Sequence, residues 1–244
     1  MRASGVQNFD TIHPDYFKIK HLKKLVTFSF LCVLFTCSVF AQRTKNPKQD
    51  DYLFFLHNRF TEEMPLQAAH PEYGKSQYSE IIAAFNSAGF KVLSEKRPIG
   101  TDIRVDAKKI IIQIDSLLQL GVPANHITVV GISKGGYIAQ MTSTLLANPD
   151  VNFVFIGSYR NQDLTKMPDI DFCGNILNIY EKSDEFGVSA IARKESSKLK
   201  VKRFKEIELN TGLKHGFLFR PLKEWIVPVT MWANRKYDLL LSEQ

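Results

Sequence analysis

Residues 126–136 read HITVVGISKGG, and this stretch decides the fold. The part from 126 to 132 is a short apolar run rich in β-branched residues, which is typical of a strand covered on both faces of a parallel sheet. The residues from 134 to 147 suit a helix, which an Asn-Pro pair ends. Ser133 therefore lies in a glycine-rich turn that joins a buried strand directly to a helix.

The same alternation of strands and helices continues on both sides of this turn. Apolar runs of strand length are separated by segments in which apolar residues recur at helical spacing, and this alternation indicates βαβ units. The sequence predicts an α/β fold with a mainly parallel sheet of about six strands and with helices on both faces. The predicted strands cover residues 52–57, 90–95, 126–132, 151–157, 175–180 and 204–209, and the predicted helices cover 76–88, 105–120, 134–147, 188–199 and 220–236.

The composition is that of a globular protein. With 44% hydrophobic and 23% charged residues in 244 positions, the chain is neither a disordered polymer nor a collagen-like one. The formal net charge is +7, but five basic and two acidic residues lie within residues 1–41, which leaves +4 for residues 42–244. This excess is too small to indicate a nucleic-acid partner.

The N-terminal segment has the features of a secretory signal. A basic stretch, KIKHLKK, precedes sixteen uncharged residues at 25–40, fewer than the roughly 20 apolar residues that a spanning helix needs. Small residues up to Ala41 favour cleavage there, although a retained signal anchor is the alternative and would be the expected contact with a membrane. We expect an exported protein, periplasmic or secreted, with a signal peptide and N-terminal extension over 1–41, a linker over 42–51 and one domain over 52–244.

Cysteine usage excludes an internal disulfide after such cleavage. Cys173 is the single cysteine of residues 42–244, because Cys32 and Cys37 lie in the apolar segment. No cysteine pair suggests a zinc site. We expect neither a metal ion nor an organic cofactor.

The turn after the strand at 126–132 matches the pattern GxSxG through Gly131, Ser133 and Gly135. Flanking glycines let such a turn close without Cβ clashes, and the serine hydroxyl is then exposed beside the helix N-terminus. Ser133 is therefore the candidate nucleophile. The alternative is a helix-capping serine in an ordinary glycine-rich turn.

A serine hydroxyl needs a base that removes its proton and a third group that orients the base. Residues 42–244 contain four histidines, and His215 lies in a loop after the last predicted strand, where function concentrates in open α/β sheets. His215 is the candidate base. The loop after the strand at 175–180 offers the acid, with Asp184 as the first choice and Glu181 in reserve.

This order of strand, serine, strand, acid, strand and histidine resembles that of the α/β-hydrolase family over roughly residues 52–236. The resemblance implies that Ser133 is the nucleophile, His215 the general base and Asp184 the group that orients it. The family includes esterases, lipases, peptidases and thioesterases, so its name fixes the class of reaction better than the substrate.

The resemblance also implies an oxyanion hole. One donor would be the backbone N–H of Lys134, and the other would come from Asn58 or Arg59 in the loop after YLFFLH. That loop often begins with His-Gly in the family, whereas it begins with His57-Asn58 here. There is no room before residue 52 for the first two strands of the full fold, and no lid insertion follows the strand at 151–157, so we expect a reduced member with an open site.

Residues 58–74 are predicted to form a loop, and its part from Phe60 to Gly74 is expected to shape the pocket, because functional residues concentrate in loops at strand ends. The alternative is a loop that is simply solvated. His57, Phe60 and His70 are the candidate substrate-binding residues, with His57 interpreted as bracing the loop rather than as a base. The side chain of Lys134 is expected to face solvent.

These observations together predict an exported serine hydrolase that cleaves small carboxylic esters through a covalent acyl-enzyme. A peptidase or amidase with the same three residues is the first alternative, because ester and amide hydrolysis share this machinery. A second alternative is a binding module of the cell envelope that has kept the scaffold without the reaction. The expected partner is a small ester or amide substrate and not a nucleic acid.

Overall fold

The computed structural model describes residues 49–241 of the chain. The predicted signal segment at 1–41 and the predicted linker up to residue 48 lie outside the described residues. No helix within residues 49–241 is long and apolar enough to cross a membrane.

A sheet of six parallel strands forms the centre of the fold. The strands of the chain are β1 Tyr52–Leu56, β2 Ala69–His70, β3 Gly74–Lys75, β4 Lys91–Leu93, β5 Ile127–Ile132, β6 Asn152–Ile156, β7 Gly174–Glu181 and β8 Val201–Leu209. The order in the sheet is β4-β1-β5-β6-β7-β8, and every neighbouring pair runs parallel. A small antiparallel hairpin of β2 and β3 lies in the connection between β1 and β4.

Eight α-helices occur in the described part of the chain. The longest begins after Asp102, whose carboxylate accepts hydrogen bonds from the amides of Arg104 and Val105 and so caps the helix. The helices are α1 Arg59–Glu63, α2 Tyr78–Ser87, α3 Ile103–Gln119, α4 Lys134–Leu146, α5 Asp163–Lys166, α6 Ile191–Ser196, α7 Lys223–Ala233 and α8 Tyr237–Leu241; 3₁₀ turns cover Ala124–His126 and Lys214–Phe219.

Two hydrophobic cores cover the two faces of the sheet. Side chains of β1 alternate between them, with Leu53 and Phe55 in one core and Phe54 and Leu56 in the other. The first core takes in buried residues of α2 and α7, and the second takes in those of α3 and α4. Because both faces are covered, the central strands read as nearly continuous apolar runs. The predicted fold, a parallel sheet with helices on both faces, is confirmed.

Several elements differ from the prediction. The last strand begins at Val201 and not at 204, and helices α6 and α7 are shorter than the predicted 188–199 and 220–236. The predicted loop at 58–74 contains helix α1 and the β2–β3 hairpin. The connection between β6 and β7 contains only the four-residue helix α5 and no lid domain.

Candidate active site

A cleft of about 410 Å³ lies where the parallel strands reach their carboxyl ends. Parallel strands bring the loops that follow them to one edge of the sheet, where open α/β folds place their ligands. The cleft walls include Arg59 after β1, Ser133 after β5, Arg160 after β6, Phe186 after β7 and His215 after β8. Its volume is within the usual range for small-molecule sites.

Ser133 stands in a strained turn between β5 and α4. Its backbone has φ +50° and ψ −120°, a conformation that side-chain-bearing residues rarely adopt. The turn is held because the Ser133 amide donates to the carbonyl of Ile156 at 2.9 Å. Two flanking glycines permit close packing: a Cβ on Gly131 would lie 2.2 Å from the carbonyl oxygen of Gly135, and one on Gly135 would lie 2.0 Å from that of Leu56.

Ser133, His215 and Asp184 form a continuous hydrogen-bonded row. His215 Nε2 lies 2.9 Å from Ser133 Oγ, and His215 Nδ1 lies 2.6 Å from Asp184 Oδ2. A carboxylate can only accept, so the proton belongs on Nδ1, which leaves Nε2 to accept from the serine hydroxyl. The side chain of Asp184 is buried, whereas His215 keeps partial access to solvent. The fold thus brings the side chains of these three residues within hydrogen-bond distance of one another.

Glu181, the reserve acid, has a different position from Asp184. It is fully buried and accepts hydrogen bonds from Thr211, through both the amide and the hydroxyl at 2.8 Å, and from the Ser183 hydroxyl at 2.9 Å. Burial alone would raise the pKa of Glu181, but these hydrogen bonds lower it below the ordinary value. Glu181 thus braces the loop that carries His215 and does not contact the imidazole.

The amides predicted to form an oxyanion hole lie at two helix starts. Lys134 is the first residue of α4 and Arg59 is the first residue of α1, and the first amides of a helix have no partner within it. Both residues line the cleft. Asn58 does not line the cleft. It is buried, and its side chain caps α1 by accepting a hydrogen bond from the Thr61 amide at 2.8 Å.

A buried carboxylate, Glu62, ties the Arg59 helix to the start of α4. Its Oε1 lies 2.5 Å from Lys134 Nζ, and its Oε2 lies 3.3 Å from Arg97 Nε. The amides of Gly100 and Thr101 also donate to Oε1, at 3.0 and 3.2 Å. The expectation that Lys134 faces solvent is wrong, since its side chain is 12% exposed and turned inward to this partner.

Charge pairing sets the protonation of Glu62. Burial alone would raise its pKa, but the hydrogen bond and charge of Lys134, together with Arg97, hold the pKa below the ordinary value. Arg97 is itself buried and has a second carboxylate, Asp106, at 3.9 Å. Glu62 is therefore an ionised group within a buried set of alternating charges.

His57 belongs to the same buried region and does not contact the cleft. Its Nε2 accepts from the Arg97 amide at 3.0 Å, so the proton is on Nδ1, which donates to the carbonyl of Asn58 at 2.8 Å. Burial, with the charge of Arg97, lowers the pKa of His57 to about 4. The structure corrects the placement of His57 among the candidate substrate-binding residues. Its side chain is fully enclosed and braces the loop.

Phe60 and His70 form an aromatic cluster beside the cleft. His70 stacks on Tyr73 with ring centroids 4.4 Å apart, and Phe60 contacts His70 at 5.5 Å and Phe219 at 5.4 Å. Tyr73 lies 6.4 Å from the ring of His215. Neither Phe60 nor His70 lines the cleft, so the structure places them as support for the His215 loop and not as substrate contacts.

Three further polar residues of the site were missed by the sequence analysis. Asp163 is buried and accepts from the Tyr137 hydroxyl at 2.6 Å and from the Arg160 amide at 2.8 Å. Burial, with the hydrogen bond and charge of Asp163, raises the pKa of Tyr137 far above its ordinary value. Tyr137 and Arg160 line the cleft. The position of Arg160 just after a buried strand was a signal that could have identified it.

No group of three or more histidine, cysteine, aspartate or glutamate side chains suited to a metal ion occurs among residues 49–241.

Comparison with known proteins gives structural neighbours but no sequence relatives. No protein-family model matches the chain, and no curated protein matches it. An Agrobacterium tumefaciens protein provisionally described as an α/β hydrolase superposes with a TM-score of 0.52 and 17% identity, over 79% of this chain and 88% of its own. An arylesterase gives 0.51 and 14% over 78% and 77%, and Est1E from Butyrivibrio proteoclasticus, solved with ferulic acid, gives 0.50 and 11% over 82% and 93%. At identities this low, the structural likeness shows a shared fold and nothing further.

Proposed function

Because the chain has the α/β-hydrolase fold, we propose that it is a serine hydrolase that cleaves small carboxylic esters through a covalent acyl-enzyme. The observation that carries the proposal is the hydrogen-bonded row of Ser133, His215 and Asp184 at the edge of the cleft. A serine presented on a strained turn, with a base on its hydroxyl and a buried carboxylate behind that base, is the arrangement that nucleophilic acyl transfer requires.

In the first half of the reaction, Ser133 Oγ attacks the ester carbonyl carbon while His215 Nε2 takes the hydroxyl proton. The resulting imidazolium is stabilised by Asp184, which also keeps the ring in the required tautomer. When the tetrahedral intermediate collapses, the bond to the leaving oxygen breaks and His215 returns the proton to the departing alcohol. The acyl group is then bonded to Ser133.

In the second half, water replaces the alcohol. His215 Nε2 removes a proton from water as the water oxygen attacks the acyl carbonyl carbon. When this second tetrahedral intermediate collapses, the bond from the acyl carbon to Ser133 Oγ breaks and His215 returns the proton to Oγ, which releases the acid and regenerates the serine and the neutral imidazole.

The amides of Lys134 and Arg59 are the oxyanion donors that we propose. Each is the first residue of a helix and each lines the cleft with Ser133, so both N–H groups are available where the carbonyl oxygen becomes negative. Asn58 is disfavoured as the second donor because it is buried beneath the turn. The loss of one such donor in other enzymes costs about 10²- to 10³-fold in kcat.

The ester preference is supported by the site and by two neighbours. No lid domain covers the cleft within residues 49–241, and its volume of about 410 Å³ suits a compact substrate. One neighbour is described as an arylesterase and another was solved with ferulic acid. Export remains a proposal that rests on residues 1–41, and N-terminal sequencing of the protein from the culture medium or periplasm tests it by showing whether the chain begins after Ala41.

The test is fluorophosphonate labelling of the purified chain from residue 42, with turnover of 4-nitrophenyl acetate measured in parallel. We expect labelling and turnover in the wild type and neither in Ser133→Ala. The control Ser87→Ala changes an exposed serine of α2 outside the cleft and should behave as the wild type. Asp184→Asn should fold normally and lose about 10⁴-fold in kcat, because the imidazole is then held in the wrong tautomer.

Two results would contradict the proposal. An active Ser133→Ala protein would show that Ser133 is not the nucleophile. A folded wild type that neither labels nor turns over esters would favour a binding module. Faster cleavage of aminoacyl arylamides than of esters would keep the three residues and change the substrate to an amide.

A further inference from the structure

Positively charged side chains line the cleft, and the carboxylates near them lie outside its lining. Among the described residues that line it, Arg59, Lys134 and Arg160 are cationic and none is acidic. Ile103, Met167 and Phe186 also line the cleft and form its apolar wall. A site of this composition suits a ligand with a hydrocarbon part and a separate negative charge.

The three cations differ in how far they are already paired. Lys134 Nζ lies 2.5 Å from buried Glu62 and its side chain is 12% exposed, so its charge is used within the protein. Arg59 is 69% exposed and faces Glu63 at 3.9 Å, a surface pair that solvent screens. Arg59 and Arg160 are therefore the cations that a ligand can reach.

Arg160 is the better positioned of these two. Its amide donates to Asp163 Oδ2 at 2.8 Å, and Asp163 is in turn held by the Tyr137 hydroxyl, so the backbone at Arg160 is anchored. Its Nε is buried without a hydrogen-bond partner and lies 3.8 Å from Asp163 Oδ1, while 39% of the side chain stays exposed. Asp163 offsets part of the charge, which favours a ligand with one negative charge over a dianion such as phosphate.

We propose that the substrate is an ester carrying a second, ionised carboxylate away from the bond that is cleaved, and that Arg160 binds this carboxylate with Arg59 assisting. This inference rests on the proposed function. The planar guanidinium of Arg160 matches the two oxygens of a carboxylate, and the apolar wall takes the hydrocarbon that links carboxylate and ester. Arg160 is thus a specificity-determining residue for the reaction at Ser133.

The experiment compares esters that differ by one charge. For a charge on the alcohol side, 4-acetoxybenzoate is compared with the neutral 4-acetoxybenzamide. For a charge on the acyl side, mono-4-nitrophenyl adipate is compared with 4-nitrophenyl hexanoate, and each rate is corrected for hydrolysis without enzyme. We expect kcat/KM to be about tenfold higher for the charged member of at least one pair. A hydrogen bond to a charged group stabilises a complex enough to change its affinity by about that factor.

Three variants then locate the source of the preference. Arg160→Gln should abolish the preference by lowering kcat/KM for the charged ester much more than for its neutral partner, and Arg160→Lys should retain part of the preference because the charge remains. Arg59→Gln should reduce it less. The control Arg220→Gln removes an exposed arginine outside the cleft and should leave it unchanged.

The outcomes separate this inference from the proposed function. Equal kcat/KM for both members of both pairs, or a preference that survives Arg160→Gln, would overturn the carboxylate site while esterase activity stands. Absence of turnover on all four esters, with no fluorophosphonate labelling, would instead overturn the proposed function. A preference that falls at 0.5 M NaCl would support a partly exposed charge contact.

Discussion

Replacing Glu62 by Gln tests whether the buried carboxylate holds the site together. The substitution removes one negative charge and nearly preserves the shape of the side chain. Glu62 is fully buried and binds Lys134 on α4, Arg97 in the loop between β4 and α3, and two amides of that loop at 100 and 101. It is thus the link between the two helix starts that carry the proposed oxyanion donors.

The expected loss of stability follows from what the partners are left with. Arg97 is 3% exposed, its Nη1 already has no hydrogen-bond partner, and without Glu62 its nearest carboxylate is Asp106 at 3.9 Å. Removing one partner of a buried ion pair costs about 3–5 kcal/mol, and we take the lower value because Lys134 keeps some access to solvent. For a domain of this size, ~3 kcal/mol corresponds to a fall in Tm of about 6–12 °C.

The effect on catalysis follows from the same contacts. Lys134 and Arg59 would lose the group that fixes their spacing, so stabilisation of the oxyanion should weaken. We expect kcat to fall by about tenfold or more with a smaller change in KM, because the lost interaction is made mainly in the transition state.

Urea unfolding at pH 7, followed by fluorescence, measures the stability change. The matched control is Glu63→Gln, which changes the neighbouring exposed carboxylate, 3.9 Å from Arg59, and should cost less than about 0.5 kcal/mol. The pKa of Glu62 is lower in the folded protein than its ordinary 4.5, so its contribution is complete above pH 4.5 and is lost as the pH falls through the folded pKa. A Glu62→Gln protein within 1 kcal/mol of the wild type would refute this reasoning.

Two further predictions concern the residues packed under the site. His57 has a folded pKa of about 4 against an ordinary 6.5, so the protein should lose about 3 kcal/mol of stability as the pH falls from 6.5 to 4; urea midpoints across this range should show the loss, and His57→Gln should flatten it. Gly135→Ala would place a Cβ 2.0 Å from the Leu56 carbonyl oxygen and should prevent stable folding, as judged by circular dichroism and urea unfolding. The control Gly121→Ala, at φ +84° with open space around it, should cost only about 1–2 kcal/mol, and equal effects of the two substitutions would show that crowding is not the cause.

The sequence predicted all six strands of the main sheet, and its signal is clearest for the four central strands β1, β5, β6 and β7 because these are largely buried on both faces. Strand β8 is the instructive partial miss, since the prediction began at residue 204 and the strand begins at Val201. It lies at the edge of the sheet, where buried and exposed positions are mixed, so its first residues carry no continuous apolar signal. The β2–β3 hairpin was missed because strands of two residues show no periodicity.

For the site, the sequence placed Ser133, Asp184 and His215 in the loops after three strands, now β5, β7 and β8, and the structure brings these three residues within hydrogen-bond distance. The three residues meet because parallel strands deliver the loops after them to one edge, whatever the details of packing. His57, Phe60 and His70 share that edge, but their side chains lie in neighbouring clusters outside the cleft.

The sequence by itself thus determined the fold class, the strained turn at Ser133 and the strand ends from which a site could be built. These properties are encoded locally, in the period of apolar residues and in glycines where a Cβ would clash. Only the tertiary structure decided which charges lie together: Lys134 pairs with Glu62, 72 positions away, and Arg160 lines the cleft. Such contacts depend on distances between segments remote in the chain, which packing alone sets.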